Sequence, residues 1–400
     1  MYVIDGSDDR AALAAWRDGR TCPVLVIRAD QLVHTPLVQP LVESLPDDGV
    51  AMAVVPESPA VEDLAHGTYA GAFVATGDAA TAAVAGLAAG VSDAALVKAA
   101  IPIPHGAIAR APVSTAEQRR NAHRLLYKIL VKTQDNAITR YLYRPVSFPL
   151  TRFLVWTPIT PNQVSYLVAA LVIVGCWLSA HASMSAALEG AIVVLVASYV
   201  DCCDGEIARV KLLSSRFGAW LDTVVDELSS VGYMAALGWH CHLHYGPLRL
   251  DAAGVDWWEV AIAVGVATYA VSIYCVYYNI IVAVGSANSQ DYIGRFHIRP
   301  GMSDGSVRLV PAAATVISAQ PNAPRWLNWL RTYAPYIVRR DFISWAVVVL
   351  AALQLTQVSF FCLVLGGIGT AVIVSVDHVK LRRLLRDVAR RGLTVELRDR

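Results

Sequence analysis

Six stretches of this 400-residue chain are apolar for long enough to cross a bilayer: approximately 162–182, 186–206, 217–240, 257–284, 337–356 and 358–378. That constrains the fold severely. In hydrocarbon every backbone N–H and C=O must be bonded inside its own segment or inside a closed barrel, so apolar runs of about 20 residues become helices. The balance of residues agrees, with 56% hydrophobic, 16% charged and a formal net charge of +1. A chain so near neutrality offers no basic surface to nucleic acid, and none is expected as a partner. The seven cysteines are scattered, mostly within apolar runs, and make neither a disulfide framework nor a CxxC metal site. Met1–Arg10 is acidic and has no apolar core, so no cleavable signal peptide is expected.

Charge orients the six expected spans. Basic residues gather before the first, between the second and third (Arg209, Lys211, Arg216), between the fourth and fifth (Arg295, Arg299, Arg308, Arg325, Arg331) and after the last (Lys380, Arg382, Arg383, Arg386). The opposite connections carry one arginine, Arg249. By the positive-inside rule both termini are cytoplasmic in a cell membrane, with membrane lipid as the surroundings.

At the cytoplasmic ends of the second and third spans stand Asp201, Asp204, Asp222 and Asp226. On a helix Asp201, Asp204 and Ala208 share one face, and Gly218, Asp222 and Asp226 share one face of the next. Four carboxylates this close at a membrane boundary cannot all stay ionised without cations. The donors are oxygen only, which favours Mg²⁺ or Mn²⁺ over Zn²⁺. Cys202 and Cys203 point off that face and read as packing residues.

The spacing D-x2-D-G-x2-A-R-x8-G-x3-D-x3-D, complete here from Asp201 to Asp226, resembles the signature of the CDP-alcohol phosphotransferase family. Six spans with the motif across the second and third also resemble that family, over about 240 residues. The resemblance implies an enzyme that moves a phosphate-substituted alcohol from a CDP-alcohol, such as CDP-diacylglycerol or a CDP-polyol, to an acceptor hydroxyl with release of CMP. It implies two divalent ions on Asp201, Asp204 and Asp222. Asp226 would touch the metal site and act as general base. Gly205, Ala208, Arg209 and Gly218 would face the nucleotide, and the enzyme would be a homodimer. Asn162 resembles a nucleotide-proximal asparagine of the family; a helix cap beside Pro161 is the alternative reading.

The acceptor is less legible. Relatives that take a phosphorylated polyol show a basic run ending the fourth span, whereas Ser272–Asn279 holds no cation. Arg339 and Arg340, beside Asp341 at the mouth of the fifth span, are candidates for an acceptor phosphate or, alternatively, positive-inside anchors. The run His240-Cys-His242-Leu-His244 lies away from the carboxylates and reads as an interfacial loop.

Before residue 115 the pattern changes. Short β-branched runs (Pro23–Ile27, Val50–Val55, Ala72–Ala75) alternate with helix-favouring Ala-rich segments such as Ala79–Ala89, which predicts a Rossmann-like α/β domain with a parallel sheet. Asp30 and Asp78 follow strands, where such folds place ligands. Val24–Asp30 and Pro36–Leu41 resemble a sugar-phosphate nucleotidyltransferase, a domain fused to some archaeal-type members of the family, the di-myo-inositol-phosphate-phosphate synthases. Met1–Arg20 departs from that pattern, since only Gly6 and Gly19 stand where a Gly-rich phosphate loop belongs. The domain therefore reads as an inactive relic.

The expected organisation is an α/β nucleotidyltransferase-like cytoplasmic domain over 1–115, basic amphipathic interfacial helices over 116–158, and a six-helix membrane domain over 159–400. In the middle segment Lys132–Asn136 and Thr139-Arg140 resemble the approach to the first span in those synthases. A bifunctional protein that makes its own CDP-alcohol is the alternative, which the missing Gly-rich loop opposes. A cation transporter would need acidic residues throughout the membrane depth, and the lower halves of these spans are apolar.

Overall fold

The computed structural model describes residues 20–56, 62–64, 67–131, 137–249, 254–284, 292–300, 306–311 and 339–396, with 12–13, 15–17 and 324 besides. Two compact units emerge: residues 1–133 with 209–212, and residues 134–208 with 213–399.

In the first unit the β-branched runs form strands as expected: β1 (Val24–Ile27), β2 (Gly49–Val55) and β4 (Gly67–Thr76), joined by the short β3 (Glu62–Leu64) and by β5 (Ile101–Pro104). The order is β1-β4-β2-β5, with β3 on β4. The expected parallel sheet is corrected here. β4 runs antiparallel to β1, β2 and β3, and only β2 and β5 pair in parallel. The reason lies in the connection. A parallel crossover needs a dozen or more residues, usually a helix, and the chain from Val55 to Gly67 already contains a strand that folds back on β4.

Helices cover both faces of this sheet, so the α/β class stands. Leu37 and Leu41 of α1 (Thr35–Glu43) pack with Ala51, Ala53 and Val55, while Ala80, Ala83 and Val84 of α2 (Gly77–Ala88) pack with Met52 and Phe73. The two-residue period of β2 divides its side chains between these cores. Asp78 sits in the first turn of α2, where a carboxylate complements the helix dipole. Asp30 is held by two arginines. Arg110 donates to both of its oxygens at 3.0 Å, and Arg28 Nε lies 3.5 Å away. The Arg110 hydrogen bonds hold the Asp30 carboxyl below its ordinary range. The short α3 (Asp93–Leu96) and α4 (Ala116–Lys128) complete the unit, α4 opening on a Thr115/Gln118 capping box.

The second unit opens with a π-turn (Thr139–Tyr143) and α5 (Arg144–Val155). Lys132–Asn136, a segment singled out in the sequence, lies outside the described residues. The apolar stretches are helices: α6 (Pro161–Ser179), α7 (Met184–Val210), α8 (Arg216–Tyr245), α9 (Trp257–Asn279, continued by a π-turn to Val284), α10 (Arg340–Ala352) and α11 (Thr356–Arg390). Among the described residues four are long and apolar enough to span: α6, α7, α9 with its π-turn, and α11. The other two fall short for different reasons. α8 carries Asp222, Asp226 and Glu227 in its first half and His240, His242 and His244 in its last turns, and α10 has 13 described residues. The loop expected at His240–His244 is instead the last turns of α8. Helical hydrogen bonding continues there because nothing before Gly246 (φ 75°) breaks it.

A small sheet between α9 and the C-terminus was not visible in the sequence. β6 (Phe296–Pro300) and β7 (Ser306–Pro311) are antiparallel, and β8 (Thr394–Glu396) pairs in parallel with β7. The main helical core contains Tyr233, Met234 and Leu237 of α8, Val347 of α10, and Phe360 and Val364 of α11. Its outer surface stays apolar: Ile173 is 69% exposed, Leu365 66% and Ile373 64%. Apolar surface on this scale is what membrane-spanning helices present. α6 and α7 approach backbone to backbone, since a Cβ on Gly190 would stand 2.5 Å from the Gly175 carbonyl oxygen.

Candidate metal and nucleotide site

The last turns of α7 and the first turns of α8 build the site. α7 continues through Asp201 and Asp204 to Val210, and the chain then turns through Leu212 in the left-handed region (φ 55°). The Leu213 N–H bonds back to the Ala208 carbonyl at 2.8 Å. Ser215 caps α8, its hydroxyl accepting from the Gly218 N–H at 3.0 Å. The two acidic stripes are thereby set face to face.

α6 supplies the third wall. Thr160 is its cap, in a capping box with Gln163, and Pro161 holds the first position. The cap reading of Asn162 is thus replaced, because Thr160 does that work. Asn162 instead meets α8: a Cβ on Gly218 would lie 3.0 Å from Asn162 Oδ1 and 3.1 Å from Ser215 Oγ. Glycine eases this close approach, since any Cβ there would make the Asn162 and Ser215 side chains give way slightly. A Cβ on Gly205 would meet nothing within 4 Å, so that glycine borders open space.

Carboxylate oxygens of Asp201, Asp204 and Asp222 lie within 4.8 Å of one another. Asp204 is buried (7% exposed) and accepts from Ser165 Oγ of α6 at 2.7 Å. Converging, hard, oxygen-only donors on rigid helices fit a divalent cation of the Mg²⁺ or Mn²⁺ kind. Asp226 is not part of this trio; it is bonded to the guanidinium of Arg340 from α10, which also reaches Asp201 Oδ2 at 3.6 Å. Arg340, singled out for an acceptor phosphate, therefore touches the carboxylates directly, and Arg339 is the N-cap residue of α10. Ala208 and Arg209 occupy the final turn of α7.

Two features escaped the sequence reading. One is Ser165, which anchors Asp204. The other is Glu206, inside the motif at a variable position and fully enclosed (0% exposed). Its spacing gave a signal, since a third acid in the last turns of α7, after Asp201 and Asp204, must either face lipid or find a partner. Arg144, inside the basic 116–158 segment, is that partner and is 6% exposed. In a second group of ligand types, His242, Asp256 and Glu259, Asp256 is the N-cap of α9. Asp256 Oδ1 accepts from the backbone N–H groups of Leu248 and Trp258, and Oδ2 meets His242 Nδ1.

With this geometry in place, comparison with known proteins gives one consistent picture. Residues 158–332 match the CDP-alcohol phosphatidyltransferase family. Over 129 residues the chain is 36% identical to the bifunctional IPC transferase and DIPP synthase of Aquifex aeolicus (strain VF5), a match covering 32% of this chain and 29% of that protein. Proteins of the same description from Thermococcus kodakarensis (30% over 128 residues; 32% and 28%) and Rubrobacter xylanophilus (38% over 115 residues; 29% and 26%) are also similar. Each match therefore spans less than a third of the relative's length.

Proposed function

We propose that this chain, whose residues 158–332 form a CDP-alcohol phosphatidyltransferase domain, transfers a phosphate-substituted alcohol from a CDP-alcohol to an acceptor hydroxyl and releases CMP. The observation that carries the reading is the convergence of Asp201, Asp204 and Asp222 within 4.8 Å, at the spacing the motif requires. Those three carboxylates are the ligands for a pair of Mg²⁺ or Mn²⁺ ions, with Asp226 beside them. Bound there, such ions supply charge neutralisation for the diphosphate and for the departing CMP.

The remaining roles fall to the chain. Asp226 takes the proton of the acceptor hydroxyl, and its guanidinium partner Arg340 holds the carboxylate in place. Gly205, Ala208 and Gly218 leave room for the nucleotide between two helix backbones, with Asn162 at their edge. Arg209 suits a phosphate oxygen. Arg339 and Arg340 are the candidates for an acceptor phosphate. An acceptor bound at Arg340 would lie against the base, because Arg340 already touches Asp226 and Asp201.

The same reading takes α8 and α10 as spans alongside the four apolar helices, giving six. It places the site and both termini on the cytoplasmic side by the basic connections, and takes the protein as a homodimer in lipid. Residues 1–115 serve as an inactive nucleotidyltransferase-like domain, 116–158 as interfacial helices and 159–400 as the transferase domain. A second reading, a bifunctional enzyme, is favoured by the relatives' description as bifunctional. Against it, Asp30 at the expected ligand position is already engaged by Arg110 and Arg28.

Mass spectrometry of lipid extracts and polar metabolites, with and without the gene, tests the proposal. A phospholipid or polyol phosphodiester that disappears with the gene supports it, and unchanged profiles oppose it. Pyrophosphate release from CTP and a polyol phosphate by the full-length protein would establish the bifunctional reading. A monomer mass in mild detergent would remove the homodimer.

A further inference from the structure

Glu206 lies between Asp204 and Ala208 in the motif but faces away from the carboxylate trio. Among the described residues its hydrogen-bond donors come from one helix, α5. Arg144 Nη1 bonds to Oε1, Ser147 Oγ donates to Oε1 at 2.9 Å, and Thr151 Oγ1 donates to Oε2 at 2.6 Å. These positions are spaced i, i+3 and i+7 on α5 and form one face. Arg144 is 6% exposed, and Ser147 and Thr151 are fully buried. Cys203 Sγ adds a contact to the Ser147 carbonyl at 3.8 Å.

The turn before α5 grips α10 in the same way. Tyr143 Oη donates to the Asp341 carbonyl at 3.2 Å, and the Thr139 hydroxyl bonds to the Asp341 carboxylate. Tyr143 also stacks on Tyr199 of α7, with ring centroids 4.5 Å apart. One segment, 139–151, therefore holds the helix that carries Asp201 and Asp204 and the residue next to Arg340.

A buried ion pair is a poor way to gain stability, because desolvating both charges offsets much of their attraction. Its distinctive effect is directional. Fixing one side chain of a rigid helix fixes the rotation of every other, at about 100° per residue. We propose that Glu206 is a positioning residue: clamped by α5, it sets the rotation of α7 that brings Asp201 and Asp204 into register with Asp222 as a divalent-cation site. The inference rests on the metal reading of those aspartates.

Mn²⁺ titration of the full-length protein in detergent, followed by electron paramagnetic resonance alongside thermal unfolding, tests it. Outer partners of metal ligands typically cost about 10–100-fold in metal affinity when changed. Glu206→Gln should weaken Mn²⁺ binding at least tenfold, and Thr151→Val about threefold or more. Phe360→Leu, in the helical core away from this network, should lower the melting temperature with Mn²⁺ affinity within about twofold of the parent. If Glu206→Gln does not fold, Thr151→Val decides. Affinities within about twofold of the parent for both network variants would overturn the inference, as would an equal loss of Mn²⁺ binding in Phe360→Leu at the same drop in melting temperature. A parent that binds no Mn²⁺ would overturn the metal reading itself, and the inference with it.

Discussion

Each unit contains an aspartate that the sequence marks as a ligand position, and the two have opposite surroundings. In the sheet unit Asp30 meets guanidinium groups: Arg110 on both oxygens and Arg28 close by. In the helical unit Asp201, Asp204 and Asp222 converge on one another, and buried Asp204 takes a neutral serine hydroxyl. At Asp30 two fixed cations meet a single carboxylate. In the helical unit Arg340 reaches Asp201, but three carboxylates share the space, and a mobile cation lowers the cost of keeping them ionised together. Position after a strand or within a motif identifies a candidate; the counter-charge decides what it does.

The largest expected effect breaks this contrast at its strong end. Asp204→Asn should bring CMP release below detection and abolish Mn²⁺ binding, whereas Asp30→Asn should leave both unchanged. Comparable losses from the two variants would erase the distinction between the units.

Next comes the base. Asp226→Asn should lower turnover by about 10²–10⁴-fold while CDP-alcohol affinity changes much less, because the amide keeps the shape and one acceptor oxygen. Near-parent turnover would remove the base assignment. Loss of nucleotide affinity as severe as in Asp204→Asn would instead make Asp226 chiefly a metal ligand.

A smaller, steric effect is expected at Gly218. Gly218→Ala puts a methyl group 3.0 Å from Asn162 Oδ1, so helix and asparagine must each give way by a few tenths of an ångström. The Michaelis constant for the CDP-alcohol should rise several-fold with turnover less affected, measured by CMP release at varied donor concentration.

The smallest effect concerns the sheet unit alone. Asp30→Asn removes charge-assisted hydrogen bonds from the buried Arg110 guanidinium; solvent at the half-exposed Asp30 trims the cost to about 1–2 kcal/mol. Since the folded-state pKa of Asp30 lies below its ordinary 3.8, this stabilisation is full above about pH 4 and fades as the pH falls through the folded value. Pulse proteolysis in urea across pH 3–7 should show that decline in the parent and its absence in Asp30→Asn.

What the sequence revealed follows from what each signal depends on. The convergence of Asp201, Asp204 and Asp222 was legible because helix geometry converts spacing along two helices into shared faces. The helices themselves were legible because lipid permits few alternatives to hydrogen bonding within the segment. Strand direction was not, since Val50–Val55 and Ala72–Ala75 look alike in parallel and antiparallel sheets, and the deciding feature was the strand-bearing connection before Gly67. Arg144 read as one interfacial cation among many, because composition cannot show which charge a helix turns inward to meet Glu206. The β6–β7–β8 sheet escaped notice because its third strand comes from the far C-terminus, and such pairing leaves no local periodicity.

The central claim is that the aspartate cluster is a divalent-metal site for CDP-alcohol chemistry. The most direct test is CMP release by the purified protein from a panel of CDP-alcohols that includes CDP-diacylglycerol, each with candidate hydroxyl acceptors, with Mg²⁺ or Mn²⁺ and with EDTA. The account predicts release from at least one donor with metal, and none with EDTA or in Asp204→Asn. Undiminished CMP release in metal-free buffer, or from Asp204→Asn, would contradict it.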